Sequence, residues 1–260
     1  MNAPSPLGEM LSRFTPITLG EMDSVKLQTR VDTKYMFADA ELCEVLLKLM
    51  PDYRLLEVRG ERGTDYRSLY FDTTDLKHFL DHHNERVFRN KVRIREYIGS
   101  DLCFLEVKRK TGRGDTDKAR TKATSMTETL SAEQSAYVAR KSKCSEPLVP
   151  VLWNYFTRLT LVHRTRHERL TIDRALRFSS ANNERPLEGI CVAELKEERA
   201  DRGSPFTRLM RERIIAPSGM SKYCIGMLML GLAPKHNNFK ETMLRMERLR
   251  RTSLSDRQAA

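Results

Sequence analysis

Lysines and arginines recur at every second position in several stretches of this chain, and that spacing is the first sign of chemistry. Lys91, Arg93 and Arg95 alternate with Val92, Ile94 and Glu96. Glu106, Lys108 and Lys110 alternate with Leu105, Val107 and Arg109, and Lys118, Arg120 and Lys122 repeat the pattern. Arg169, Thr171 and Asp173 alternate with Leu170 and Ile172, while Glu194 and Lys196 flank Leu195. Successive side chains of a β-strand point to opposite faces, so each stretch reads as a strand with one apolar and one polar, mostly cationic face. Between Arg86 and Lys122 there are twelve Lys/Arg and five Asp/Glu, too few local carboxylates to neutralise that face.

A solvated outer sheet face accounts for any one such strand. Repetition over five strands weakens that account, and the alternative is a barrel closed with the cations turned inward. Like charges about 6 Å apart would then repel by about 3 kcal/mol per pair at an effective dielectric near ~20. Such an interior is tolerable when anions or ordered water fill it. A phosphate chain carries evenly spaced charges to match evenly spaced Lys and Arg, and guanidinium forks grip phosphate oxygens bidentately. Glu106 and Glu194 stand among these cations, with Asp32 and Asp173 as further carboxylates. Each could pair with a neighbouring cation or ligate Mg²⁺ or Mn²⁺, hard ions that bridge phosphates. The salt bridge is expected for Glu106; for Glu194 the two roles are evenly balanced.

The elements that must hold these rows are legible in outline. Leu42, Val45, Leu46, Leu49 and Met50 recur with helical spacing, Asp39 is the expected N-cap and Pro51 the stop. Tyr66 to Phe71 and Val87 to Tyr97 read as strands, with DTTDLKHFLD as a short helix between them behind an acidic cap. The turn at Gly99 returns the chain through Cys103 to Lys110. KARTKAT is a further short strand, and Ser131 with Gln134 forms a capping-box pattern for a helix that Pro147 and Pro150 follow. Strands are expected over 151–162, 166–178 and 190–197, a helix start at Ser204-Pro205 and a last helix from Ser221 through Met229. Hairpins in succession with a few helices define an α+β fold with a mostly antiparallel sheet.

The 260 residues carry 46 Lys+Arg against 35 Asp+Glu, a formal charge of +11 that points to an anionic partner. Nucleic acid is not expected, because aromatic stacking platforms are scarce among the basic strands. Five cysteines without a C-x-x-C pair read as reduced core thiols of a cytoplasmic chain. The most apolar run, Cys224 to Ala233, is far below the ~20 residues that span a bilayer. His78/His82 and His163/His167 lack an H-E-x-x-H glutamate and read as satisfied or surface histidines. TGRGDT lacks the G-K-[ST] ending of a P-loop. The chain divides into a loose N-terminus (1–20), a main domain (21–234) and a basic C-terminal tail (235–260). That tail is read as helical or frayed, outside the barrel and solvated, with contact to an anionic membrane, at its inner face, or to a membrane partner protein as the alternative.

Nine stretches in order, RVDTKY, YRSLYFDT, KVRIREY, FLEVKRKTG, DKARTK, PVLWNYFTR, RLTID, AELKEE and SKYCIG, resemble the VTC domain of the triphosphate tunnel metalloenzymes. The resemblance covers residues 30 to about 230. It implies an eight-stranded antiparallel β-barrel, or tunnel, with flanking helices, and polyphosphate synthesis from ATP with Mn²⁺ or Mg²⁺. It gives the tunnel phosphate contacts to Lys34, Arg93, Arg95, Lys108, Lys118, Arg120, Arg158, Arg169 and Lys222, and the metal to Glu194. Lys91, Lys110 and Lys196 complete the cationic rows as further phosphate ligands. Hydrolytic members carry paired glutamates where this chain has RVDTKY, with Asp32 alone acidic, which favours the polymerase branch. Phe156 stands where a tyrosine is expected. Hydrolysis of tripolyphosphate or a nucleoside triphosphate, and a non-catalytic polyphosphate-binding module, are the alternative readings.

Overall fold

The computed structural model describes residues 5–23, 31–112, 115–181 and 183–259. Helix α1 (Pro6–Ser12), strand β1 (Pro16–Ile17) and helix α2 (Leu19–Asp23) come first. Next are β2 (Val31–Ala38), α3 (Leu42–Leu49), β3 (Tyr53–Leu56), β4 (Thr64–Asp72), α4 (Lys77–His83), β5 (Arg89–Tyr97), β6 (Leu102–Lys110) and β7 (Thr116–Lys122). After α5 (Ala132–Ser142) come the long strands β8 (Val149–His163) and β9 (Glu168–Ser180), then β10 (Asn183–Pro186) and β11 (Ile190–Glu197). Helices α6 (Pro205–Glu212), α7 (Lys222–Met229) and α8 (Lys240–Ala259) close the chain.

Eight strands pair side by side in the order β2-β11-β9-β8-β4-β5-β6-β7. Every pairing along that path is antiparallel. Among the described residues the end strands β2 and β7 are joined by side chains: Lys118 Nζ donates to Asp32 Oδ2 at 3.1 Å. The fold is thus α+β and antiparallel, as the strand pattern led us to expect, and of the eight-stranded tunnel form that the resemblance implied. β1, β3 and β10 are short additions at its margin.

The pleat sorts the two faces. Outward residues of β2, β8, β9 and β11, such as Phe37, Leu161, Ile172 and Leu195, form one buried cluster with Leu46 and Leu49 of α3 and Phe206 of α6. Outward residues of β4, β5 and β6, among them Leu69, Ile94 and Leu105, form a second cluster that includes Val138 of α5. Burying each such side chain stabilises by about 1.5–3 kcal/mol, so α3, α5 and α6 belong on the outside of the wall. The cations are left for the inside.

Local signals act largely as read. Ser131 Oγ accepts from the Gln134 amide at 3.2 Å and Gln134 Oε1 from the Ser131 amide at 3.0 Å, completing the capping box of α5. Ser204 and Ser221 cap α6 and α7, and the five cysteines are free. The acidic cap of α4 is Asp72, whose buried carboxylate accepts from the amides of His78 (2.8 Å) and Phe79 (2.9 Å).

Three segments differ from expectation. Asp39 does not cap α3: a 3-10 turn over Asp39–Glu41 precedes the helix, and Asp39 instead accepts from the Cys191 thiol (3.2 Å). The N-terminal stretch expected to be loose buries Phe14 and Ile17, because Arg62 donates to the Phe14 carbonyl (2.9 Å) and β1 pairs with β3. The basic C-terminal stretch, expected as a helical or frayed tail outside the barrel, is the helix α8 and differs only in being docked, with Met246 buried and Ser253 Oγ donating to the Gly189 carbonyl at 2.7 Å.

Candidate functional site

The inner face carries the alternating rows. β5 contributes Lys91, Arg93 and Arg95, opposite Lys108, Glu106 and Phe104 of β6, and β7 places Lys118 and Arg120 opposite Lys108 and Glu106. On the far wall Lys34 lies opposite Glu194, and Lys196 opposite Asp32 and Arg169. Arg158 lies opposite Asp173, and Lys222 reaches the same carboxylate from the first turn of α7. The structure therefore brings twelve of the thirteen sequence-derived candidates onto one lining. Lys110 lies at the end of β6 opposite Arg89 and Thr116, on the same face but at the rim.

Four carboxylates organise this lining. Arg158 grips Asp173 with both ends of its fork, Nε to Oδ1 at 2.6 Å and Nη2 to Oδ2 at 2.8 Å, and Lys222 adds a third donor. Burial opposes the charge on Asp173, but Arg158 and Lys222 outweigh it and hold the carboxyl well below its usual range. Glu106 accepts from Arg93 Nε at 2.7 Å; burial would raise its pKa, and Arg93, Arg95 and Lys108 instead bring it down to about 2. Glu194 lies between Lys34 (3.1 Å) and Lys196 and is likewise kept ionised against the cost of burial. Asp32 meets Lys118 at the seam.

The cations outnumber these partners. Arg95 is buried, donates to Ser68 Oγ at 3.2 Å, and among the described residues makes no ion pair. Lys108 is pushed well below the ordinary lysine pKa, first by Arg93 and then by burial, and Lys196 is lowered to about 8, chiefly by burial. A buried ammonium that is driven towards its neutral form is poised to take up an anion, which would restore its charge.

Aromatic rings steady the guanidinium groups. Phe156 and Tyr66 stack with centroids 5.0 Å apart, and Arg95 and Arg158 lie over the Phe156 ring at 5.6 and 5.3 Å, with Lys222 at 4.9 Å. A phenyl ring without hydroxyl at position 156 thus serves as a platform for three cations rather than as a phosphate donor. Tyr70 Oη accepts from Arg93 Nη1 at 3.1 Å. Tyr70 and Ser68 were not singled out from sequence, although Tyr66, Ser68 and Tyr70 hold the same period-two row that marked the charged strands.

The described residues contain no cluster of three or more His, Cys, Asp or Glu side chains that would form a metal cage by themselves. Glu194, with Asp32 near enough to influence each other's charge, fits instead a hard dication that shares its coordination with phosphate oxygens and water, the usual arrangement for Mg²⁺-type ions on polyphosphates. The two lysines on Glu194 would turn to those phosphates.

Fold and lining together define an antiparallel tunnel with a cationic interior, of the triphosphate tunnel type. The chain belongs to the VTC domain family, whose model matches residues 29–231. Among solved structures it is similar to a candidate adenylate cyclase from Bacillus halodurans, at 13% identity over 75% of this chain and 94% of that one, with a TM-score of 0.50. A candidate adenylyl cyclase from Hippeastrum, described as having a dominant triphosphatase activity, matches at 15% identity over 77% and 96% of the two chains, with a TM-score of 0.48. At such identities the first likeness is one of fold. No curated protein matches the chain. Among the described residues no helix is long and apolar enough to cross a membrane.

Proposed function

We propose that this chain is a phosphoryl-transfer enzyme that draws the triphosphate of ATP into the cationic tunnel and passes its γ-phosphate to a growing polyphosphate chain. The observation that carries this reading is the excess of cations on the lining: buried Arg95 and half-buried Lys108 make no ion pair among the described residues, on a lining to which every strand of the path but β4 adds a lysine or arginine. Arg93, Arg95 and Arg158 would hold the phosphoryl oxygens in line, with Lys34, Lys91, Lys108, Lys118, Arg120, Arg169, Lys196 and Lys222 spreading positive charge along the chain and Lys110 at the rim. Catalysis of this kind is positioning and electrostatic stabilisation, with no covalent intermediate required of the protein. Mn²⁺ or Mg²⁺ held through Glu194 would supply charge neutralisation on the transferring group.

A second reading, hydrolysis of tripolyphosphate or a nucleoside triphosphate, is favoured by one feature. The apolar packing of α7 at one end of the tunnel leaves a long product without a second opening on that side. The two differ only in whether a phosphate terminus or water attacks. Incubation of the purified chain with ATP and Mn²⁺, with products resolved on a gel and by free-phosphate assay, separates them. A polyphosphate ladder supports the polymerase, free phosphate alone supports hydrolysis, and neither product leaves a binding module. Glu194→Gln should spare tripolyphosphate binding and abolish metal-dependent turnover; equal loss of both would remove Glu194 from the metal role.

A further inference from the structure

The two end strands of the sheet present different edges to the seam between them. On β2 the backbone that faces away from β11 is partly covered, since the Ser218 amide donates to the Lys34 carbonyl at 2.8 Å. β7 pairs with β6 alone. The amides of Ala123 and Thr111 donate to the carbonyls of Cys103 and Asp115, both at 2.9 Å, and so set which residues of that ladder exchange hydrogen bonds. In an antiparallel pair only every second opposed couple does so. Asp117, Ala119 and Thr121 therefore turn their N–H and C=O towards β6, while Lys118, Arg120 and Lys122 turn theirs to the open edge. Among the described residues no backbone group meets them there. No residue of β7 is buried, and of its three cations only Lys118 has a carboxylate partner among the described residues, Asp32 across the seam.

We infer that β7 takes up an extended acidic peptide of a partner protein as an added strand. An unpaired edge is a template for another backbone, which supplies donors and acceptors at the spacing the edge requires. A phosphate chain only accepts, and would leave the carbonyls of Lys118, Arg120 and Lys122 unanswered. A second copy of β7 is disfavoured by charge. Paired antiparallel about Arg120, it would set Lys118 against Lys122 and Arg120 against its own copy, and like charges directly opposed destabilise a sheet. An acidic strand reverses that sign. The alternation of β7 also states the partner's pattern: Asp or Glu opposite Lys118, Arg120 and Lys122, with β-branched side chains between them beside half-exposed Ala119 and Thr121. Such a strand needs the cations of β7 and no phosphate in the tunnel.

The test titrates the full chain into a labelled, capped peptide of about nine residues that alternates Glu and Val, read by fluorescence anisotropy at ~0.15 M salt. Two further peptides carry N-methyl groups on alternate amides, one in each phase, so that charge is kept and one row of donors is lost. Saturable binding of the plain peptide is expected, with a loss of at least ~tenfold for the phase that faces β7 and little change for the other. On the protein, Lys122→Pro removes an edge-facing N–H that β6 does not use, and proline is tolerated on an edge strand. It should bind the peptide at least ~tenfold more weakly than Lys122→Ala, which loses the same charge and keeps the N–H. Near-ultraviolet circular dichroism checks that both variants are folded. No saturable binding, equal affinity of the two N-methylated peptides, or equal affinity of the two folded variants would overturn strand addition. Failure of tripolyphosphate to bind would overturn the polyphosphate reading of the tunnel and leave the peptide result standing.

Discussion

Along β2, β8, β9 and β11 the inward side chains are charged in one part of each strand and apolar in the other, so two halves of the tunnel interior can be compared on the same backbone. The apolar half, around Met36, Phe178 and α7, is filled as a protein core is filled and gains stability from burial. The cationic half, around Arg93, Lys108 and Arg158, is organised by four carboxylates and still holds more positive charge than they can pair. One half is built to be stable with nothing in it; the other stores repulsion that an anion would relieve. Stability and function have been assigned to different stretches of the same strands, which is the usual relation between a scaffold and a strained site.

The comparison can be broken in order of effect. Met227→Ala in the apolar half should cost about 2–5 kcal/mol of stability in chemical denaturation while the folded protein binds tripolyphosphate as before. An affinity change larger than the stability loss would mean that the two halves are coupled. Arg158→Ala should weaken tripolyphosphate binding by about 100-fold, roughly 2.7 kcal/mol, since a bidentate donor is lost from the lining. Lys108→Met should do the reverse of a core mutation. Affinity falls by about tenfold while Tm rises by roughly 2–4 °C, because a buried cation beside Arg93 is removed. A lower Tm in that variant would show that Lys108 is already neutralised within the fold.

The smallest effect is a dependence on pH. Burial lowers Lys196 to about 8, and Arg93 and burial hold Lys108 well below the ordinary lysine value, so a bound polyanion raises both again. Binding therefore takes up protons, and affinity falls as pH rises from neutrality through about 8, by up to about tenfold per proton per pH unit. Calorimetry in buffers of different ionisation enthalpy counts those protons directly. Proton release on binding would contradict the assigned directions.

Much of this was legible in the amino-acid sequence because period-two alternation is a local signal. Lys91, Arg93 and Arg95 reveal their shared face without any knowledge of the fold, whereas Lys34, Arg158 and Lys222 came only with the family resemblance and carry no such local signal. What local pattern lacks is the choice between partners across the tunnel. Asp173 and Lys222 are far apart in the chain, and their contact depends on where α7 docks. Tyr70 and Ser68 escaped notice because a hydroxyl in a strand is ordinary until an arginine is placed opposite it. Helix α8 was missed as a packed element because its apolar residues are few, and its docking rests on Met246 and the Ser253 contact with Gly189.

The measurement closest to the central claim is a calorimetric titration of inorganic tripolyphosphate into the wild type and into Arg158→Ala at ~0.15 M salt. A single saturable site in the wild type, with a matching rise in Tm and a large loss in the variant, is the predicted result. No saturable site, or one that Arg158→Ala leaves untouched, would place the anion somewhere other than the tunnel and contradict the account.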